Sequence, residues 1–335
     1  MSAFRLGTTL FALTNEWLSR RYSLEQLVGR LAGLGVGPGL ELVGFQSIRG
    51  YPQVAREFER TFARLLDEHG LQPSCLSANI DFARRPDRLM SPEEVKETLS
   101  EQIEAARILG FPVVRAQKLD DDLYEWAAAL AERAGVKLGI EIHAPLFVDH
   151  PMVLGLRELF DRIDSPALGF IPDWSATMTA LPVGQLRAFE RNGLTRGQTD
   201  FLRELWERGG SPHELFEEFA ERAQGEGATP EAVGQARTVF TMFARNDPAR
   251  WLEIMPRVIH VHAKFYELEV DGSDRSVPHA QLVSVLRQGG YDGFVSSEWE
   301  AHAWADLEDA DGFEMVRRHQ ELYRKLLADP APTPA

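Results

Sequence analysis

At 335 residues, 44% of them hydrophobic and 26% charged, the chain can bury a large core and stay soluble, and its length suits one α/β barrel carrying an insertion. A net charge of −15 with no cluster of Lys and Arg excludes duplex nucleic acid as a main partner. A lone cysteine, Cys75, excludes an intrachain disulfide; no apolar run reaches the ~18 residues of a membrane span, and the start MSAFRLGTTLFAL does not resemble a signal peptide, so a cytoplasmic protein without a membrane partner is expected.

Short apolar runs alternate with amphipathic ones along the whole chain. FRLGTTLFAL reads as a first strand, and SLEQLVGRLAGLG as a helix capped by Ser23. GLELVGF is a second strand, followed by the helix YPQVAREFERTFARLLDEHG, which closes on Gly70. PSCLSANI is a third strand. The helix after it opens on Ser91, Pro92 and two acids and closes on Gly110. PVVRAQ, VKLGIEIHAP and ALGFIPDWSA are strands four to six, with helices between them. A long polar and helical stretch from about 181 to 256 is too long for one crossover, and two to four helices are expected there as a lid or subunit contact. RVIHVHAKF and GFVSSEWEAH complete eight strands, and a last helix runs into a Pro/Ala-rich tail. Eight strands alternating with helices predict a (β/α)8 barrel over 1–327, with 328–335 fraying. An open doubly wound sheet has less support, because no GxGxxG follows the first strand.

Barrel enzymes carry their chemistry at the C-terminal ends of the strands. In strands five to eight those positions hold Glu141 and His143, Asp173, His260 and His262, and Glu298 and Glu300. Such groups are costly to bury without a partner, and a shared cation is the simplest compensation, since no Arg stands in these strand ends. About 32 residues separate Glu141 from Asp173 and about 36 separate His262 from Glu298, close to the ~31 of one βα unit. Glu141, Asp173, His262 and Glu298 are therefore expected to converge on one divalent ion. Three carboxylates and an imidazole favour Mn²⁺, with Mg²⁺ or Co²⁺ acceptable.

Strand alternation puts His260, His262 and Lys264 on one face, as it does Glu141 with His143 and Glu298 with Glu300. His143 is the candidate base, or else a residue that orients a ligand. His260 is a candidate for catalysis or support. Lys264 is expected either to steady an enolate or to pair with Glu300 or Glu267. Asn79, Arg115 and Gln117 are candidates for substrate hydroxyls or for ordinary loop solvation, Glu300 for substrate or support, and Trp174, Trp299 and Trp304 for stacking on a ring or packing in the core. His213 and His319 read as helix-surface residues.

Taken together, GIEIHAP, GFIPDWSA, HVHAKF and GYDGFVSSEWE resemble the sugar-phosphate isomerase/epimerase superfamily, the xylose-isomerase-like barrels. That resemblance covers most of the chain outside the insertion. It implies that Glu141, Asp173, His262 and Glu298 bind one divalent metal. Within this group, EIMPRVIHVHAKFYEL, the Ser-Val-Pro at 276–278 and GYDGFVSSEWEAH are similar to the α subunits of the C-glycoside deglycosidases. This narrower likeness implies a lyase acting on 3-oxo-C-glycosides, a small β subunit in a higher oligomer, and His143 as base for the C2 proton. A ketose or inosose isomerase, epimerase or dehydratase stays open, and so does a non-catalytic binding subunit, against which the intact motifs argue. The superfamily often has a His shortly after the strand-six acid, where this chain reads Asp173, Trp174, Ser175, Ala176. The DNA-repair endonucleases of the same fold use further histidines in early strands, and the first four strands here carry none.

Overall fold

The computed structural model describes residues 4–304 and 311–328. Eight parallel strands form a nearly closed barrel: β1 Arg5–Thr9, β2 Gly39–Val43, β3 Gln72–Ser77, β4 Val113–Ala116, β5 Lys137–Ile142, β6 Leu168–Pro172, β7 Val261–Phe265 and β8 Phe294–Trp299. Hydrogen bonding runs in the order β6-β5-β4-β3-β2-β1-β8-β7. β6 and β7 share no ladder among the described residues, and the seam is spanned by the bridges Phe170↔Val258 and Asp173↔His262.

Local chemistry sets most helix ends. Ser23 and Ser91 each accept a hydrogen bond from a backbone N–H three residues on, and the Gln26 and Glu94 side chains accept from the cap N–H in turn, so both helix starts are satisfied from both sides. These begin α1 (Leu24–Gly33) and α3 (Pro92–Leu109); between them lies α2 (Arg56–His69). Gly70 and Gly110 end α2 and α3 in the left-handed conformation, at φ 62° and 77°, which a side chain resists. The first strand is shorter than its apolar run. Thr9 Oγ1 accepts from the Phe11 N–H at 3.3 Å and turns Leu10–Leu13 into a single 3-10 coil.

α4 (Tyr124–Ala134) and α5 (Pro151–Ile163) cover β4 to β6. The insertion then holds α6 (Val183–Arg191), α7 (Arg196–Arg208), α8 (Pro212–Gly225), α9 (Pro230–Gln235) and α10 (Arg237–Met242). Two of these five are short, which is why amphipathic periodicity predicted two to four. The insertion is tied to the barrel rim where Ser175 and Ala244 exchange a backbone hydrogen bond of 2.8 Å and Met178 reaches Ala244 at 2.9 Å. α11 (His279–Gln288) and α12 (Gly312–Ala328) finish the chain. The tail expected from 328 begins on the last residue of α12, and 329–335 lie outside the described residues.

His319 corrects a sequence reading. It is fully buried on α12, its ring stacked 3.9 Å from that of Phe265 and its Nδ1 2.9 Å from Ser297 Oγ. It lies on the apolar stripe of the helix, with Val316 and Tyr323. His213 is exposed, as expected.

The sparse β6–β7 seam has a steric requirement. A methyl at Gly169 would stand 2.5 Å from the Arg257 carbonyl oxygen and 2.6 Å from Ile259. Because the first obstacle is backbone, the seam must open to admit it. Gly169→Ala is expected to cost roughly 1–3 kcal/mol of stability in a urea titration, and an unchanged midpoint would show that the seam yields freely.

Candidate active site

The C-terminal ends of the strands surround a cavity of about 290 Å³. Glu141 from β5, His262 and Lys264 from β7 and Glu298 from β8 line it, with Asn79, Arg115, His143 and Glu300, while Phe11, Phe45 and Met242 stand at its apolar rim. Asp173 follows β6 directly and is fully buried. Glu141, Asp173, His262 and Glu298 each offer one ligand atom, and the four atoms lie within 4.8 Å of one another. That spread is close to twice a metal–oxygen bond of ~2.1 Å, so a small inward movement completes a shell.

The donor set fits a hard divalent cation on a further count. Asp173 Oδ2 and Glu298 Oε2 are buried and accept no well-aligned hydrogen bond, although Lys264 Nζ and His262 Nδ1 lie 3.2 and 3.3 Å away. Native interiors rarely leave carboxylate oxygens in that state without a purpose. His262 Nδ1 also lies 2.6 Å from Glu141 Oε1, while Nε2 lies 3.1 Å from Glu41 Oε1. A ring that presents its Nδ1 lone pair to a cation must carry its proton on Nε2, toward Glu41, the usual carboxylate support of a ligating histidine.

Glu41 is the site residue that reading strand ends missed. It stands mid-strand in β2, fully buried, and joins His260 (3.0 Å from Oε2) and Ser77 (2.7 Å to Oε1) as well as His262. Glu41, His260 and His262 also gather their ligand atoms within 4.8 Å, but these atoms are already paired with one another. The available signal was an acid inside the apolar run GLELVGF. Burial opposes its charge, yet His262 and His260 hold the Glu41 carboxyl well below the usual range.

Arg115 lines the cavity and is also engaged by a carboxylate. Its guanidinium forks onto Glu141 Oε2 at 2.9 and 2.5 Å and gives a third hydrogen bond to Asn79 Oδ1 at 2.6 Å. An arginine therefore does reach these carboxylates, from β4 rather than from the strands that bear them. It takes one oxygen of Glu141 and leaves the other facing His262. Against the effect of burial, Arg115 and His262 hold Glu141 well below the ordinary carboxylate range.

Other assignments also change in position. Gln117 braces a loop, donating to Asn79 Oδ1 at 2.7 Å and accepting from the Ile80 N–H at 2.8 Å, and does not line the cavity. Trp174 is buried, donating to Tyr323 Oη at 2.9 Å beside Trp251, because the chain turns inward after Asp173. Trp299 likewise donates to the Tyr266 carbonyl. His260 lies one layer below His262 and misses the cavity, since two residues earlier on a strand means deeper in the barrel. Lys264, 2% exposed, sits 3.2 Å from Asp173, 3.7 Å from Glu298 and 3.0 Å from Glu300. Burial works against its charge, and those carboxylates keep it protonated. Glu300 stands at the rim. His143 Nδ1 lies 2.6 Å from the Ala144 carbonyl oxygen. A carbonyl only accepts, so Nδ1 donates there and the neutral ring keeps its lone pair on Nε2.

Burial pushes the Glu298 carboxyl up to about 8, with Lys264 and His262 opposing. A cation needs this group as carboxylate and must displace its proton at lower pH. Manganese affinity is therefore expected to rise with pH, about tenfold per unit for each proton displaced, and to level off above about 8 for Glu298. Calorimetric titrations at several pH values would read this; a flat profile between pH 6 and 8 would remove Glu298 from the shell.

The barrel, its rim of carboxylates and histidines, and the named relatives together mark an enzyme that acts on sugars. The chain belongs to the xylose isomerase-like TIM barrel family, which it matches over residues 38–325. It is 37% identical to the 3'-dehydrocarminate deglycosidase alpha subunit of a Microbacterium species, over 97% of this chain and 96% of that one. To a C-glycoside deglycosidase alpha subunit of Arthrobacter globiformis it is 34% identical, over 98% and 94%. Among solved structures it is similar to a sugar phosphate isomerase/epimerase of Parabacteroides distasonis (TM-score 0.54, 15% identity, 96% and 93% covered). It is also similar to an L-ribulose 3-epimerase (TM-score 0.56, 13% identity, 97% and 94% covered). No helix among the described residues is long and apolar enough to cross a membrane.

Proposed function

We propose that this chain is the α subunit of a metal-dependent lyase that cleaves the C-glycosidic bond of 3-oxo-C-glycosides. The observation that carries the reading is the convergence of four ligand atoms within 4.8 Å beside His143, in a chain 34–37% identical over nearly its whole length to C-glycoside deglycosidase alpha subunits. Glu141, Asp173, His262 and Glu298 would hold the cation, with manganese the best match to their hardness. Bound there, it would bind adjacent sugar oxygens and make the C2–H bond next to the 3-oxo group acidic. His143 Nε2 takes the C2 proton. The C1–C2 double bond then forms as the bond from C1 to the aglycone breaks, and the aglycone carbon takes the proton that His143 holds, which restores the neutral base. Lys264, held charged by its carboxylates, offsets negative charge growing on the sugar oxygens. Glu41 keeps the His262 ring in one tautomer, and Arg115 fixes the rotamer of Glu141.

The relatives are named alpha subunits, which supports a partner subunit for this chain; a small β subunit in a higher oligomer completes the reading. The chain, co-expressed with its partner subunit and supplied with Mn²⁺, is expected to release aglycone from a 3-oxo-C-glucoside of a flavone. Turnover of a free ketose without any such release would reject the lyase in favour of an isomerase, epimerase or dehydratase.

A further inference from the structure

A second chamber of about 350 Å³ opens beside the barrel mouth, walled by the insertion. Met242 and Glu300 line both spaces, so the two adjoin. Phe189 of α6, Met242 and Phe243 at the end of α10, and Trp304 after β8 make its walls, with Gln185 and Ala188 on α6. Trp304 is held flat against Tyr266, with ring centroids 5.5 Å apart at 23°, and Phe243 meets it edge-on at 86°. A rigid aromatic slot of this kind suits a planar ring rather than a sugar, whose many hydroxyls would go unmatched.

Gln185, Gln235, Thr238 and Glu300 interrupt the apolar lining, and Gln185 among them has an unmet hydrogen-bonding atom. The Gln185 side chain donates to Thr238 Oγ1 at 3.3 Å, while its Oε1 is buried and has no hydrogen-bond partner among the described residues. Gln185 is 5% exposed. A buried amide oxygen left unpaired is costly, and a hydroxyl on a bound ring would satisfy it.

We propose that this chamber binds a planar polyphenol, with Gln185 accepting a hydrogen bond from a ring hydroxyl. That the ring is the aglycone of a glycoside whose sugar occupies the barrel mouth rests on the lyase reading above. The insertion then supplies the specificity wall for the aromatic half of the substrate, and the bond to be broken lies at the boundary marked by Met242 and Glu300.

Calorimetry with the free flavone apigenin and with unsubstituted flavone, on the full chain, tests the chamber without turnover. One saturable site is expected. Ala188→Phe fills the slot and should weaken both ligands by about tenfold or more. Gln185→Leu should weaken apigenin about three- to tenfold and leave flavone unchanged, and unchanged melting temperatures would establish that both variants fold. Equal affinities in all three proteins, or no binding to the wild type, would overturn the proposal. The lyase reading fails separately: slot-dependent apigenin binding with no aglycone release from the 3-oxo-C-glucoside rejects the lyase and keeps the chamber.

Discussion

Asp173→Asn is expected to abolish manganese binding at working concentrations and turnover with it. Asp173 has two oxygens with different duties. Oδ1 accepts from the Ser175 N–H at 2.8 Å and starts the turn after β6, while Oδ2 faces Lys264 and the other ligands. Asparagine keeps the first duty through its amide oxygen and removes the charge that the second supplies. Affinity should fall by at least about 100-fold, since even residues that merely support a ligand cost 10–100-fold when lost. The wild type should gain melting temperature on adding Mn²⁺, corresponding to about 4 kcal/mol at a thousandfold excess over Kd, and the variant should gain nothing. Asp173→Ala should do the same and lose roughly 1 kcal/mol more, because the turn also loses its cap. A manganese-dependent thermal shift that survives in Asp173→Asn would take this residue out of the shell.

His143→Ala is expected to lower kcat by about 10²–10⁴-fold while manganese affinity and the melting temperature stay as they were. The separation follows from geometry. His143 contacts the Ala144 carbonyl and the cavity, and is not among the four residues whose ligand atoms converge. Its loss deletes a base without unlocking the site. Exchange of the C2 proton of substrate with solvent deuterium gives the sharper reading, since it requires the base and not the bond cleavage. The wild type should exchange and the variant should not; rapid exchange in His143→Ala would assign the proton to another group.

Much of this site was legible because a barrel converts sequence spacing into spatial convergence. Glu141 and Glu298 stand next to last in β5 and β8, Asp173 follows β6, and His262, second in β7, is level with Asp173 through their bridge, so parallel strands in one barrel bring the four to one rim. Glu41 escaped for the opposite reason. It sits mid-strand among Leu40, Leu42 and Val43, where a single acid in an apolar run says nothing of what it faces across the barrel. Arg115 was seen as polar at a strand end, but its partner depended on the neighbour β5 rather than on its own segment. Trp174 was left open between stacking and core, and His319 was misread as surface, because a one-dimensional pattern marks residue type and period while burial depends on which way the chain turns next.

The amino-acid sequence alone determined the alternation of strands and helices, the capped helix ends and the order of the ionisable residues, because these follow from local periodicity and hydrogen bonding along one segment. Tertiary structure alone decided which oxygens are left without a donor, that Glu41 lies behind His262, and that α6 and α10 close an aromatic chamber onto the barrel mouth. Those outcomes depend on contacts between residues far apart in the chain, which no single stretch of sequence encodes.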